Sequence, residues 1–270
     1  VGRTPDGPPP PPVVQRLRLR YAKRDRLRFT SHRDFQRAFE RAVRRAGVPI
    51  AFSAGFTPHP RISYAGAAPT GVASEAEYLE IGLTEPRDPA AVRDALDASL
   101  PPGLDVVEVV VAAGGTLADR LQASRWRIEC PGVDAGTAAA AVEAFLDRDA
   151  VVVERLTKDG RRRFDARAAV LSFTVAADET QGHPAPSGRK DALRAILDLV
   201  VRHVTPAVRP DDVLTGVRQV AELMPPPSAV RTTRLAQGPL GDDGRIADPL
   251  AADRMAEGAP AAVAGAEPEG

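Results

Sequence analysis

Residues 26–80 read RLRFTSHRDFQRAFERAVRRAGVPIAFSAGFTPHPRISYAGAAPTGVASEAEYLE, and the fold follows from this stretch. Ser31 followed by Asp34 is a helix N-cap signature of the Ser-x-x-acid kind, with Asp34 placed to suit the positive end of a helix. Phe35, Ala38, Phe39, Ala42, Val43 and Ala46 recur at helical spacing, and Gly47 with Pro49 ends the run. Residues 50–60 hold too much Gly, Ser and Pro for regular structure throughout. Beyond them Ile62 to Ala65 and Tyr78 to Leu83 read as strands on either side of a Pro69-Thr70-Gly71 turn.

Working outward, Leu17, Leu19 and Tyr21 alternate with Arg16, Arg18 and Arg20, the period of a half-buried strand with a basic outer face. Val92, Leu96 and Leu100 mark a second helix, closed by Pro101-Pro102-Gly103, and Val106 to Val111 is a β-branched strand. The order strand, helix, strand, strand, helix, strand is that of a ferredoxin-like unit. After Gly114-Gly115 the order recurs: a strand around Trp126, Ile128 and Cys130, a helix through Ala138, Ala141, Val142 and Phe145, and strands at Val151 to Leu156 and Ala169 to Val175. An apolar helix from Leu193 to Val204 and a closing strand from Val217 to Met224 complete it. The expected fold class is therefore α+β, two tandem ferredoxin-like (βαββαβ) units with disordered N- and C-terminal tails. Its boundaries are a Pro-rich arm over 1–12, a first unit over 13–112, a second over 120–224, and a mostly disordered tail over 225–270, within which Ala229 to Leu235 is a candidate edge strand.

The formal charge of the 270 residues is +0, so net charge alone draws the chain to neither nucleic acid nor membrane. Locally the balance breaks, because bases crowd between Val13 and Arg61. The single cysteine, Cys130, excludes an internal disulfide and a thiolate metal cluster and fits a reducing cytoplasm. No apolar run reaches membrane-spanning length, and the N-terminus lacks the apolar centre of a signal peptide.

Arg33, Arg37, Arg41 and Arg45 stand four apart with Arg44 beside them, so they share one helix face opposite Phe35 and Phe39. A solvated face normally mixes signs, and this one holds little but arginine; an anion-facing surface and an indifferent solvent face both stand open. Ser31, His32 and Arg33 open the helix, where free backbone N–H groups favour an anion, and the Gly55 to Arg61 turn carries His59 and Arg61. With Phe56 these form the expected anion or RNA site: Ser31, His32, Arg33, Arg37, Arg41, Arg44, Arg45, Phe56, His59 and Arg61. Phe52, Phe56 and Tyr64 are candidates for stacking on a base, whereas Phe29, Phe35, Phe39 and Trp126 read as core. The alternative is an acid/base or small-ligand site built from His32, Asp34, His59 and Glu77. No His-x-x-x-His or Cys-x-x-Cys spacing, no Gly-x-Ser-x-Gly elbow and no phosphate loop occurs, so neither a metal nor another cofactor is expected.

From Phe29 to Glu80 the sequence resembles the uncharacterised family of radical-SAM-linked proteins. The shared pattern is carried here by Ser31, His32, Asp34, Glu40, Arg41, Arg44, Arg45, Ala46, Pro49, Ser53, Gly55, Phe56, Pro58, His59, Pro60, Ser63, Pro69, Gly71, Ser74 and Glu77. The resemblance covers about residues 13–110 and implies a companion of radical-SAM enzymes. With no Cys-x-x-x-Cys-x-x-Cys in the chain, it implies the companion part alone, an accessory protein with a radical-SAM enzyme as its expected partner; RNA is expected as a partner from the arginine face, and docking of a partner protein on that same face stands open beside it.

Overall fold

The apolar alternation of residues 17–21 needs a cover, and the amphipathic run after Ser31 supplies it. A computed structural model of the chain describes residues 9–157, 160–176, 194–221 and 230–257. The first half comprises β1 (Gln15–Lys23), α1 (His32–Arg45), β2 (Ile62–Ala65), β3 (Ala73–Leu83), α2 (Pro89–Asp97) and β4 (Leu104–Val111). Leu17, Leu19 and Tyr21 of β1 join Leu79, Ile81 and Leu83 of β3 in one core with Phe35, Phe39 and Val43 of α1 and Val92 and Leu96 of α2. Each large side chain buried there contributes about 1.5–3 kcal/mol. Tyr21 stacks on Phe35 at 4.3 Å between ring centroids, which sets α1 against β1. Ser31 Oγ accepts from Asp34 N as the cap, and Gly47, at φ +63°, lets the chain leave α1 in a conformation that other residues resist.

The second half comprises α3 (Leu117–Arg120), β5 (Ala123–Pro131), α4 (Ala135–Leu146), β6 (Val152–Thr157), β7 (Gly160–Asp165), β8 (Val170–Ala176), β9 (Arg194–Arg202), α5 (Pro210–Ala221), β10 (Arg231–Gly238) and α6 (Ala251–Glu257). Eight strands form one mixed sheet in the order β4-β1-β3-β10-β5-β9-β8, with β2 also on β3. Within the first half the neighbours β4, β1, β3 and β2 are antiparallel, as are β10, β5, β9 and β8 in the second. The halves meet where β10 runs parallel to β3, Thr233 opposite Ala73 and Arg234 opposite Ser74. β6 and β7 pair as a separate two-stranded sheet. The architecture is thus mixed α+β, with six helices among the described residues.

Several expectations for the second half are corrected. The run expected as a helix from Leu193 to Val204 is β9, and the strand expected at Val217 to Met224 is the last part of α5; Leu193 and residues 222–224 lie outside the described residues. The cause is apolar residues on both faces: Ala195, Leu197, Leu199 and Val201 are buried on one, while Ile196, buried, and Val200, half-buried, lie on the other and mask the strand's two-residue period. The boundary expected at residue 224 cuts off β10, which lies between β3 and β5 rather than at an edge. The tail expected to be disordered from 225 holds β10, a bridge between Leu240 and Ile246, and α6. The Pro/Gly loop expected over 177–188 and most of the N-terminal arm, residues 1–8, lie outside the described residues.

The basic outer face expected for β1 is corrected as well. Arg18 is 2% exposed, bonded to Glu80 at 3.0 Å, to Asp253 of α6 at 2.8 Å and to the Gly115 carbonyl at 2.6 Å. A cover of α3, α6 and Leu250 closes this side of the first half, in a cluster with Tyr78 and Val110. Charge that the sequence shows as outward is matched internally by a carboxylate 235 residues away.

Candidate nucleic-acid interface

Helix α1 buries Phe35, Phe39, Ala42 and Val43 and turns Arg33, Arg37, Arg41, Arg44 and Arg45 to solvent. Among the described residues none of these five, nor the exposed Arg61, has a carboxylate within ion-pair distance. Arginines elsewhere on the surface divide: Arg24 is held by Glu75 and Asp105, Arg125 by Asp198 and Arg155 by Asp212, whereas Arg26, Arg148, Arg162 and Arg163 are exposed without a carboxylate partner among the described residues. Helix stability accounts for part of the row, because Arg44 and Arg45 in the last turn suit the negative end of the helix. It does not account for Arg33 and Arg37, which sit in the first half of α1, while each like-charged i,i+4 pair costs about 0.2–0.5 kcal/mol.

The Gly-Phe-Thr-Pro-His-Pro-Arg stretch forms a closed loop that leaves the edge of the sheet. Ala51 N donates to the Gly82 carbonyl and Gly82 N to the Arg61 carbonyl, so the loop departs and returns at one point of β3. Arg61 N donates to Ala51 O, Phe52 bridges Pro60, and Ser53 N donates to His59 O at 2.8 Å while His59 N donates to Ser53 Oγ at 3.0 Å. Gly55 at the bend takes φ +132°, a conformation costly for any side chain with a Cβ. On this loop Phe56 is 68% exposed and Phe52 44%. Phe29, expected in the core, is 59% exposed with the Arg28 guanidinium 4.6 Å from its ring centre.

The acid/base cluster does not assemble as expected. Glu77 is 2% exposed and is bonded to Arg234 and to Ala68 N, within the sheet junction. Asp34 accepts from the Ser31 hydroxyl at 2.7 Å. His32 contacts Gln36 at 3.0 Å and meets the Tyr64 ring edge-on at 5.1 Å, whereas His59 is held through its backbone to Ser53 on the exposed loop. Tyr64 lies against Phe35 under α1, half-buried, so it is packing rather than a free stacking surface. Burial pushes its phenol well above the usual range, the Glu40 charge adding to the effect, and its hydroxyl has no hydrogen-bond partner among the described residues. No three His, Cys, Asp or Glu side chains among the described residues gather as a metal site.

Two features escaped the sequence reading. Arg234 is 3% exposed, paired with Glu77, bonded to the Gly66 carbonyl at 2.6 Å and set 5.3 Å from the centre of the Trp126 ring, so it ties β3, β5 and β10 together. A cavity of about 690 Å³ lies in the second half between Leu171, Arg202, His203 and Leu240, and none of the expected site residues lines it. Neither carries a local sequence signal, since both arise where segments distant in the chain meet.

Residues 16–210 match the model of a family described as an uncharacterised protein conserved in bacteria, DUF2344. The chain belongs to this family. Its matched region takes in the whole of α1, the Ser53–His59 loop and most of the second half. No curated protein matches the chain. Among solved structures, it is similar to the crystal structure of the first two RRM domains of yeast poly(U) binding protein (Pub1), at 12% identity over 82% of this chain and 99% of that one, with a TM-score of 0.18. So loose a likeness carries no argument about fold or ligand.

Among the described residues no helix is long and apolar enough to cross a membrane.

Proposed function

We propose that this chain is an accessory protein without catalytic activity of its own, which holds RNA by its phosphates on the outer face of α1. Arg33, Arg37, Arg41, Arg44, Arg45 and Arg61 supply the phosphate contacts, and Ser31 and His32 flank them at the start of the helix. The observation that carries this reading is that five exposed guanidinium groups stand on one helix, with Arg61 as a sixth, and none has a carboxylate partner among the described residues. Successive members of the row are one i,i+4 step apart, about 6 Å of rise, which presents charge as a line rather than a point. The resemblance to radical-SAM-linked proteins makes a radical-SAM enzyme the partner to which the RNA is presented. The matching strand orders of the two halves support reading the scaffold as tandem ferredoxin-like units, with β6 and β7 as a hairpin set into the second. The lone buried Cys130 fits a place in the reducing cytoplasm.

The test is RNA binding measured by fluorescence anisotropy across a salt series. Binding through phosphates falls linearly with salt on a log–log plot, and Arg37→Glu with Arg41→Glu lowers that slope by about one for each phosphate no longer neutralised. Salt-indifferent binding, or none, removes the proposal. Co-purification with and without nuclease then separates RNA-mediated from direct association with the partner enzyme.

A further inference from the structure

We infer that the nucleic acid held by this surface is single-stranded, its unpaired bases stacking on Phe52 and Phe56 of the loop that Phe52 and Pro60 close. The inference rests on the RNA reading above and adds to it the state of the strand. Phe56 at 68% and Phe52 at 44% exposure keep large apolar rings in water, on a loop held in shape by the Ser53–His59 bonds and the Phe52–Pro60 bridge. Exposed phenyl rings on a braced loop offer flat faces that are already in place, so little ordering cost is added on binding. Arg61, exposed and without a carboxylate partner among the described residues, sits at the base of the same loop. Phe52 follows Arg45 by seven positions, so at full extension no more than about 25 Å of chain separates the loop from the last arginine of α1.

Phosphate contacts and ring faces together discriminate between the two forms of RNA. In a duplex the bases are stacked on one another and their faces are closed, and an A-form helix is read through its backbone and shallow groove. A single strand presents a backbone for arginines and open π faces for aromatic rings, and each base stacked on such a ring contributes about 1–3 kcal/mol. A surface built only for duplex phosphates has no use for exposed phenylalanines.

The experiment compares an unstructured, pyrimidine-only RNA of about twelve nucleotides with a blunt RNA duplex of the same length, within the usual span of single-strand sites. The proteins are the wild-type full chain, Phe56→Ala, and the double variant Phe52→Ala/Phe56→Ala, with circular dichroism as a check that each remains folded. The wild type favours the single strand. The double variant loses at least about five-fold in affinity for it, keeps the same salt slope, and binds the duplex as before. Phe56→Ala, at the exposed bend, loses part of this and keeps the result readable should the double variant unfold. Equal wild-type affinity for both RNAs, or variants that bind the single strand like the wild type, overturns the inference while leaving the RNA proposal in place. No salt-dependent binding to either RNA overturns both.

Discussion

The Arg18 guanidinium and the Asp253 carboxylate, 235 residues apart in the chain, meet at 2.8 Å in the interior, with both side chains 2% exposed or less. The other carboxylate oxygen of Asp253 takes Arg120 at 2.7 Å, and Ala113 N donates to the first. Through this one side chain α6 is fastened to β1, to α3 and to the turn that follows β4. Removing one partner of a buried ion pair leaves the other uncompensated, at about 3–5 kcal/mol. Asp253→Ala therefore destabilises the protein by about that amount in urea unfolding, and Asp253→Asn, which keeps an acceptor, by less. A change within about 0.5 kcal/mol, the usual range for surface substitutions, would show that α6 is dispensable.

Glu77 and Arg234 do the same service at the junction of the two halves. Arg234 also lies over Trp126, the one tryptophan of the chain, so its emission reports on this spot. Glu77→Ala lowers stability by about 3–5 kcal/mol and shifts Trp126 emission in the folded state. If emission and circular dichroism stay as in the wild type, Glu77 is not the tie between the halves.

His203 responds to acid. Its Nδ1 donates to the Leu121 carbonyl at 2.7 Å and its Nε2 accepts from the Ser124 hydroxyl at 2.5 Å, an arrangement of the neutral ring. Partial desolvation of the ring lowers its pKa, and the Arg234 charge adds to this against the opposing Leu121 bond. A histidine whose folded pKa lies below its ordinary value of about 6.5 binds fewer protons folded than unfolded. Its contribution is present above that value and is lost as pH falls through the folded one. Urea stability measured from neutral pH downward falls more steeply for the wild type than for His203→Gln; parallel curves would exclude His203 as the source.

Cys130 is fully buried on β5, and burial pushes its thiol up to about 11 despite the nearby Arg218 charge. At mildly alkaline pH the folded protein resists a disulfide-exchange reagent, and one equivalent reacts once urea unfolds it. Rapid reaction of the native protein would place the thiol at the surface.

Of the candidate site, the helix was legible and the company it keeps was not. Ser31, the Phe35/Phe39 period and Gly47 are signals that act within one or two turns, so α1 and its row of arginines follow from local rules. The exposure of that row is the other half of the matter, and it depends on where every carboxylate of the chain ends up. Arg18 and Arg33 look alike in sequence, yet one is sealed against Asp253 and the other faces solvent. Glu77, read as a catalytic candidate, is a structural partner for the same reason.

What the sequence determined by itself is the element order of the first half, from β1 through β4, and the arginine face and Gly/Pro loop carried on it, because caps, turns and hydrophobic periods are set by neighbours along the chain. Only the tertiary structure decided that β9 is a strand, that β10 closes the sheet between β3 and β5, and that α6 is part of the fold. A strand with apolar residues on both faces loses its period, and a polar residue declares its role only when a partner from far along the chain arrives beside it.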